Sequence, residues 1–232
     1  MKRVAIHQPN FLPWLGYFHK MSLVDIFVFF DDVQFSRGKT FGNRVKIKTS
    51  NGELWLTVPV LSKGDLLNFD AILINNTFPW QRKIYKTIEL SYGKAKYFGK
   101  YNDGFSTVFL AYYEKLIDLN IALIKYIAGV LGFNITFLTS SEIPKETNID
   151  SEEKILAILK YVGATHYISG SGAGSVRYID KERFRKENIM LEWQHYSSPV
   201  YPQLWGQFIA DLSILDMLFN CGEETPEILK QY

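Results

Sequence analysis

The chain is expected to fold as an α/β protein: a Rossmann-like, mostly parallel sheet with a β-hairpin insertion and an added helical segment. Three observations predict this. Short apolar strands alternate with helical stretches at both ends of the chain, the pattern of βαβ units. The stretch Ile26 to Phe30 (Ile-Phe-Val-Phe-Phe) is apolar on both faces, which suits a strand covered from both sides. Polar residues follow directly on the strands, where open α/β sheets bind their ligands.

The elements follow in order. Val4 to His7 reads as the first strand, Trp14 to Leu23 as a short helix and Ile26 to Phe30 as the second strand, together one βαβ unit. Arg44 to Lys48 and Leu54 to Val58 alternate around Asn51-Gly52, a hairpin signature. A third arm is expected at Ala71 to Ile74, which makes about 43–75 a β insertion within the single domain 1–232. The segment of about 78–132 reads as helical: Gln81 to Leu90 after Pro79, Phe105 to Ile117, and Leu119 to Leu131 with Gly132 as its cap. Asn134 to Leu138 is the next strand. Asp150-Ser151-Glu152-Glu153 is a capping box for a helix through Val162, closed by Gly163. Thr165 to Ser169 and Ile189 to Trp193 are strands. A Gly-Ser loop, Gly170 to Ser175, and a short basic helix, Asp180 to Lys186, lie between them. The last helix, Asp211 to Asn220, is expected to be capped by Asp211 and stopped by Gly222.

Composition narrows the function classes. At 232 residues, with 47% hydrophobic and 22% charged, the chain has enough apolar mass for a sizeable core. Its 26 basic and 24 acidic residues lack the surplus of a nucleic-acid binder. The single Cys221 excludes an internal disulfide and a cysteine-based zinc site, and reads as a core thiol. The histidines at 7, 19, 166 and 195 show no metalloprotease spacing. No signal segment is legible, and no apolar run approaches the ~20 residues of a membrane span. A cytoplasmic location without membrane insertion is therefore expected. Aromatics reach 16%, and most are expected in the core. Those interleaved with polar groups, Trp14 to His19 and Tyr201 to Trp205, suit pocket walls.

Four polar clusters fall at strand ends or adjoining loops, and parallel strands would gather them at one edge. The first is His7, Gln8 and Asn10. The second is Asp31, Asp32 and Gln34, with Arg37, Asn43 and Arg44 close behind. The third is Ser169, Gly170 and Ser171, with Arg177 beyond. The fourth is His195 with Tyr201, Gln203 and Trp205. A structural turn needs Gly, Pro or Asn but not His-Gln as well, so His7 is read as a general base or phosphate donor rather than a turn histidine. Asp31 and Asp32 suit a divalent metal with nucleotide phosphates, the orienting of a sugar hydroxyl, or simply a solvated loop start, and these readings stay open. Strand alternation sends them to opposite sides, so one at most enters the site. Arg44 suits a diphosphate, whereas Lys46 and Lys48 on the same hairpin face read as solvated. The Gly-Ser loop offers backbone N–H groups to an anion, or is simply a turn. Asp216 and Asn220, one turn apart on an apolar helix, read as structural.

Several of these segments resemble one known family, the WbqC-like proteins. They are Ile6-His7-Gln8-Pro9-Asn10-Phe11-Leu12-Pro13-Trp14-Leu15-Gly16-Tyr17-Phe18-His19-Lys20, Asp25 to Phe35, Asn43 to Ile47 and Trp55 to Val60. Tyr167 to Gly170, Tyr201-Pro202-Gln203 and Leu212 to Gly222 complete the likeness over nearly the whole chain. The family occurs in gene clusters for O-antigen and other surface polysaccharides, and the resemblance implies glycyl or other aminoacyl transfer to a sugar. Pro9 to Tyr17 also resembles in spacing the HIGH region of nucleotidyl-transferring folds. Trp14 and Tyr17 stand where its two histidines would be, so the likeness concerns architecture only.

The expected function is thus transfer of an acyl or aminoacyl group to a nucleotide-linked amino sugar in lipopolysaccharide biosynthesis. His7 and Asp32 are the expected catalytic residues. Gln8, Asn10, Trp14, Gln34, Asn43, Arg44, Ser169, Gly170, Ser171, Tyr201 and Gln203 are expected to bind substrate. The partners are the nucleotide-linked amino sugar and an acyl or aminoacyl donor, with nucleic acid involved only if the donor is an aminoacyl-tRNA. No metal ligand set and no cofactor is legible. The alternatives are a non-catalytic nucleotide-sugar carrier and a nucleotidyltransferase.

Overall fold

A computed structural model of the chain describes residues 1–35, 41–61, 67–146, 149–172 and 179–231. Arg37, Arg177 and the Ala173-to-Ser175 end of the Gly-Ser loop lie outside the described residues. The main sheet holds β1 (Arg3–His7), β2 (Ile26–Phe29), β5 (Thr136–Thr139), β6 (His166–Ser169) and β7 (Met190–Trp193). Their order is β5-β2-β1-β6-β7, and every pairing is parallel. The hairpin strands β3 (Arg44–Thr49) and β4 (Gly52–Thr57) form a separate antiparallel pair. The α/β expectation with a hairpin insertion therefore holds.

Alternation along the strands explains the layering. Val4, Ile6 and Val28 enter one core with Tyr167, Leu156, Ile158 and Phe184. Those last three come from α5 (Ser151–Tyr161) and α6 (Lys181–Lys186). Ala5, Phe27 and Phe29 enter the opposite, larger core with α1 (Leu15–Ser22), the hairpin and the helices α2 (Trp80–Tyr92), α3 (Phe98–Phe109) and α4 (Leu116–Val130). With both faces covered, the strands need apolar residues at every position, as read in Ile26 to Phe30.

Some boundaries differ from the sequence expectation. Ala71 to Ile74 is no third hairpin arm: a single 3-10 turn ends at Ala71, and Leu73 and Ile74 make only isolated bridges, to Lys115 and Val60. The helices expected at 105–117 and 119–131 are instead α3, ending at Phe109, and α4, starting at Leu116. The expected capping box of α5 is present, with Asp150 and Glu153 bonding reciprocally. The last expected helix, α7 (Ile214–Cys221), is capped by Ser213 rather than Asp211, whose φ of 55° belongs to a left-handed turn. Gly222 stops it at φ 60°, packed so closely on Tyr97 that a Cβ would lie 2.4 Å from the ring. A further helix, α8 (Thr225–Lys230), follows and packs on α1. Lys48, read as solvated, is 1% exposed, because the 203–207 loop covers that end of the hairpin. Cys221 is buried as expected. No helix among the described residues is long and apolar enough to cross a membrane.

Candidate functional site

The strand order fixes where a ligand can enter. The chain leaves β1 toward β2 on one side and returns through β6 on the other, so β1 and β6 flank the point where the winding reverses. Their ladder consists of Arg3↔His166 and Val4↔Tyr167, yet β1 runs on to His7 and β6 to Ser169. Beyond that ladder the two carboxyl ends are not paired, at the position where open α/β sheets form their ligand crevice. His7 and Gln8 form one lip, and Ser169, Gly170 and Ser171 form the other.

His7 lies on the α1 side of β1, the same side as Ala5. Tyr17, in the first turn of α1, packs edge-on against its ring with centroids 4.8 Å apart. Nδ1 lies 3.0 Å from the Gln8 carbonyl, which only accepts, so Nδ1 carries the proton and Nε2 keeps its lone pair. The Tyr17 hydroxyl donates to the same carbonyl at 3.3 Å. Burial first, and then the nearby Lys20 charge, lower the His7 pKa to about 3 against the weaker pull of the Gln8 carbonyl. The imidazole is therefore neutral throughout the physiological range.

The loop after β1 is held rigidly. Asn120, fully buried on α4, donates to the Pro9 carbonyl at 2.7 Å and the Gly42 carbonyl at 2.8 Å. The Ser213 hydroxyl donates to the Leu12 carbonyl at 2.9 Å, and Ile214 N–H donates to that of Pro13 at 2.9 Å. These bonds hold Leu12 at φ 41°, an uncommon backbone for a leucine. Asn10 is buried within this loop. Trp14 lies over Gly16, where a Cβ would come within 2.4 Å of its ring, and meets Tyr196 edge-on at 5.2 Å.

A second cleft opens where β2 and β5 end. Asp31 is 2% exposed and fixed by Ser141, whose N–H and hydroxyl donate at 2.9 and 2.5 Å. Asp32 turns the other way, as strand alternation predicts. It accepts from the Ser140 hydroxyl at 2.5 Å, and Lys145 and Lys154 approach at 3.0 and 3.7 Å. Burial pushes the Asp32 pKa up, but the Ser140 and Lys145 bonds outweigh it and hold the carboxyl below its usual value. Asp32, Asn68, Ser141, Lys145 and Lys154 line a cleft of about 480 Å³. Gln34 joins cleft and crevice: it bridges to Asn68, and its carbonyl accepts from Gln8 Nε2 at 3.4 Å.

The sequence model of the WbqC-like protein family matches residues 8–228, which span crevice, pinned loop and cleft. The chain belongs to that family. A Mycobacterium tuberculosis (strain ATCC 25618 / H37Rv) relative, "Uncharacterized protein Rv1507c", is 35% identical over 99% of this chain and 98% of its own length.

Within this WbqC-like chain the remaining expected site residues fall elsewhere. Asn43 closes the hairpin, its Nδ2 donating to the Val58 carbonyl at 3.0 Å. Arg44 stacks 3.7 Å over the half-exposed Trp55. Gln203 is held inside its own loop: Oε1 accepts from Lys48 Nζ at 3.0 Å and Ile209 N–H at 2.9 Å, and Nε2 donates to the Ile209 carbonyl at 2.8 Å. Tyr201 is 5% exposed beside Asp216. No hydrogen bond, ion pair or ring contact among the described residues joins Arg44, Tyr201 or Gln203 to His7. His195 is exposed, and no cluster of three metal-ligating side chains occurs among the described residues.

Asp216, read as structural, is held in a buried network: Tyr92 donates to it at 3.0 Å and accepts from Lys48 N–H at 3.1 Å, and burial raises the Asp216 pKa to about 6. Sequence reasoning missed Lys20, which is 2% exposed and whose side chain makes no hydrogen bond or ion pair among the described residues. Burial lowers its pKa to about 7. The signal was available, because Lys20 lies three residues after Tyr17, on the helix face that packs against β1.

Proposed function

We propose that this WbqC-like protein transfers an acyl or aminoacyl group, glycyl among them, to the amine of a nucleotide-linked amino sugar used in surface-polysaccharide synthesis. The observation that carries this reading is the crevice at the winding reversal, with an unprotonated His7 Nε2 on one lip and Ser169 to Ser171 on the other. Family membership supports the setting. In the reaction the amine nitrogen attacks the acyl carbonyl, and the new C–N bond forms as the bond to the donor's leaving group breaks. His7 Nε2 takes the proton from that nitrogen. An imidazolium of such low pKa is a strong acid and passes the proton on to the leaving group. A transferase needs room for two substrates. The cleft of about 480 Å³ beside the crevice, joined to it through Gln34, has the volume for the second. Gln8, Asn10 and Trp14 contact the sugar on this reading, and Asp32 serves by holding Lys145 and Lys154.

Mass spectrometry tests it. UDP-, GDP- and dTDP-linked amino sugars are incubated with acyl-CoA, glycyl-tRNA, or glycine and ATP. A mass increase by the acyl or glycyl group is the expected result, and His7→Gln should lower its rate by about 10²- to 10⁴-fold. Binding without any mass change would point instead to a carrier, and pyrophosphate release with nucleotide transfer to a nucleotidyltransferase.

A further inference from the structure

We propose that Arg44, Trp55 and Phe41, at the open end of the hairpin, form a receptor for a nucleoside diphosphate, with Arg44 taking the diphosphate and the two rings taking the base. This deepens the substrate reading, since it names where the nucleotide half of the amino sugar is held, and it rests on that reading.

Strand alternation sorts the hairpin into two faces. Val45, Ile47 and Leu56 are buried in the larger core, so Arg44, Lys46 and Trp55 lie on the outward face. Farther along that face the 203–207 loop covers Lys48, but Trp55 stays half-exposed. The Arg44 guanidinium lies 3.7 Å over the Trp55 ring. Phe41, also half-exposed, meets the same ring at 6.0 Å with a tilt of 40°. One exposed aromatic needs no explanation; two in contact, with a cation stacked on one of them, mark a binding surface. The surface adjoins the loop after β1. Phe11 N–H donates to the Phe41 carbonyl at 3.1 Å, and a single Asn120 nitrogen holds the carbonyls of Pro9 and Gly42. That loop carries Gln8 and Asn10, the residues read as sugar contacts.

Charge decides what the surface receives. Lys46, 6.0 Å from the Trp55 ring, is neutralised by Glu53, whose two oxygens accept from it at 3.0 and 3.1 Å. Asn43 spends its amide on the Val58 carbonyl. Arg44 is different: it makes no hydrogen bond or ion pair among the described residues, and its Nε is buried without an acceptor. A buried donor in this state is rare and calls for an explanation. Stacking on Trp55 holds the guanidinium without using its N–H groups, which leaves the outer nitrogens to donate as a fork to a phosphate. An anion there supplies the missing counter-charge. An inorganic anion would leave the rings unused, and a neutral sugar would leave the cation unused. A nucleoside diphosphate uses both, because every base has a face to stack.

Titration of the full chain with UDP, GDP and dTDP, followed by tryptophan fluorescence and calorimetry, tests the receptor. Inorganic pyrophosphate probes the charge alone, and uridine the base alone. At least one nucleoside diphosphate is expected to quench the fluorescence and to bind about tenfold or more tighter than either fragment. Trp55→Leu should remove the quenching and weaken binding about tenfold, the loss of one stacked base. Arg44→Gln should weaken binding about tenfold or more, and Arg44→Lys, which keeps the charge but not the fork, by less than that. Melting curves confirm that the variants fold, and the comparison of UDP with its fragments needs no variant. Affinity unchanged in Arg44→Gln or in Trp55→Leu, a fragment bound as tightly as UDP, or no binding of any nucleotide would overturn the receptor. Product formation in the transferase assay that Arg44→Gln leaves unchanged removes the receptor alone. Nucleotide binding that both variants weaken, with no product from any amino sugar, removes the transferase reading alone.

Discussion

Lys20, buried and with no side-chain hydrogen bond or ion pair among the described residues, has consequences for stability. The unfolded chain holds the Lys20 proton near 10.5, the folded chain only near 7. The resulting penalty on the folded state is fully present below about pH 7 and is released as pH rises toward 10.5. Lys20→Met should therefore stabilise the protein by a few kcal/mol at acid to neutral pH and by almost nothing above about pH 10.5. Urea denaturation at several pH values checks this; an equal effect at every pH would contradict a buried, unpaired amine. Gly16 makes a second residue-scale prediction. A Cβ there meets the Trp14 ring at 2.4 Å, so Gly16→Ala should cost about 1–3 kcal/mol through overpacking and shift the Trp14 fluorescence.

At the scale of elements, the loop after β1 draws its shape from other parts of the chain. Asn120 on α4 holds the carbonyls of Pro9 and Gly42, and Ser213 both caps α7 and holds the Leu12 carbonyl. Asn120→Ala removes the side-chain donor from the Pro9 carbonyl in a buried setting and should destabilise by about 1–3 kcal/mol. Ser213→Ala removes a cap and should cost about 1 kcal/mol. Both variants should also speed amide hydrogen exchange in residues 10–14. Destabilisation with unchanged exchange there would show that the loop is held by other contacts.

For the whole molecule the titrating groups combine. His7 holds its proton near 6.5 unfolded and near 3 folded, so stability rises with pH between those values. Asp216 opposes this: its pKa of about 6 in place of 3.8 adds stability at acid pH that is lost by about 6. Above neutrality Lys20 keeps raising stability until the buried tyrosines and Cys221, whose pKa values are all raised, reverse the slope. The melting temperature should therefore peak on the alkaline side of neutrality, at about pH 8–9. A peak below pH 7 would mean that Lys20 has a counter-charge in solution.

Much of this molecule is legible in its residue order, because local signals carry it. The apolar run Ile26 to Phe30, the Asn51-Gly52 hairpin and the Asp150 capping box each depend on neighbours a few residues away. The position of His7 at a strand end is legible for the same reason. What the residue order does not carry is which strand lies next to which. The placement of β6 beside β1, and with it the crevice, arises only when distant segments pack. The fate of Lys48 is also tertiary. A lysine on one face of a hairpin reads as solvated until another part of the chain covers it. Gln203 and Asp32, which look free to meet substrate, are occupied by groups far away in sequence, Lys48 and Lys145. Burial depends on the whole fold, and here burial decides which polar groups are left to meet a ligand.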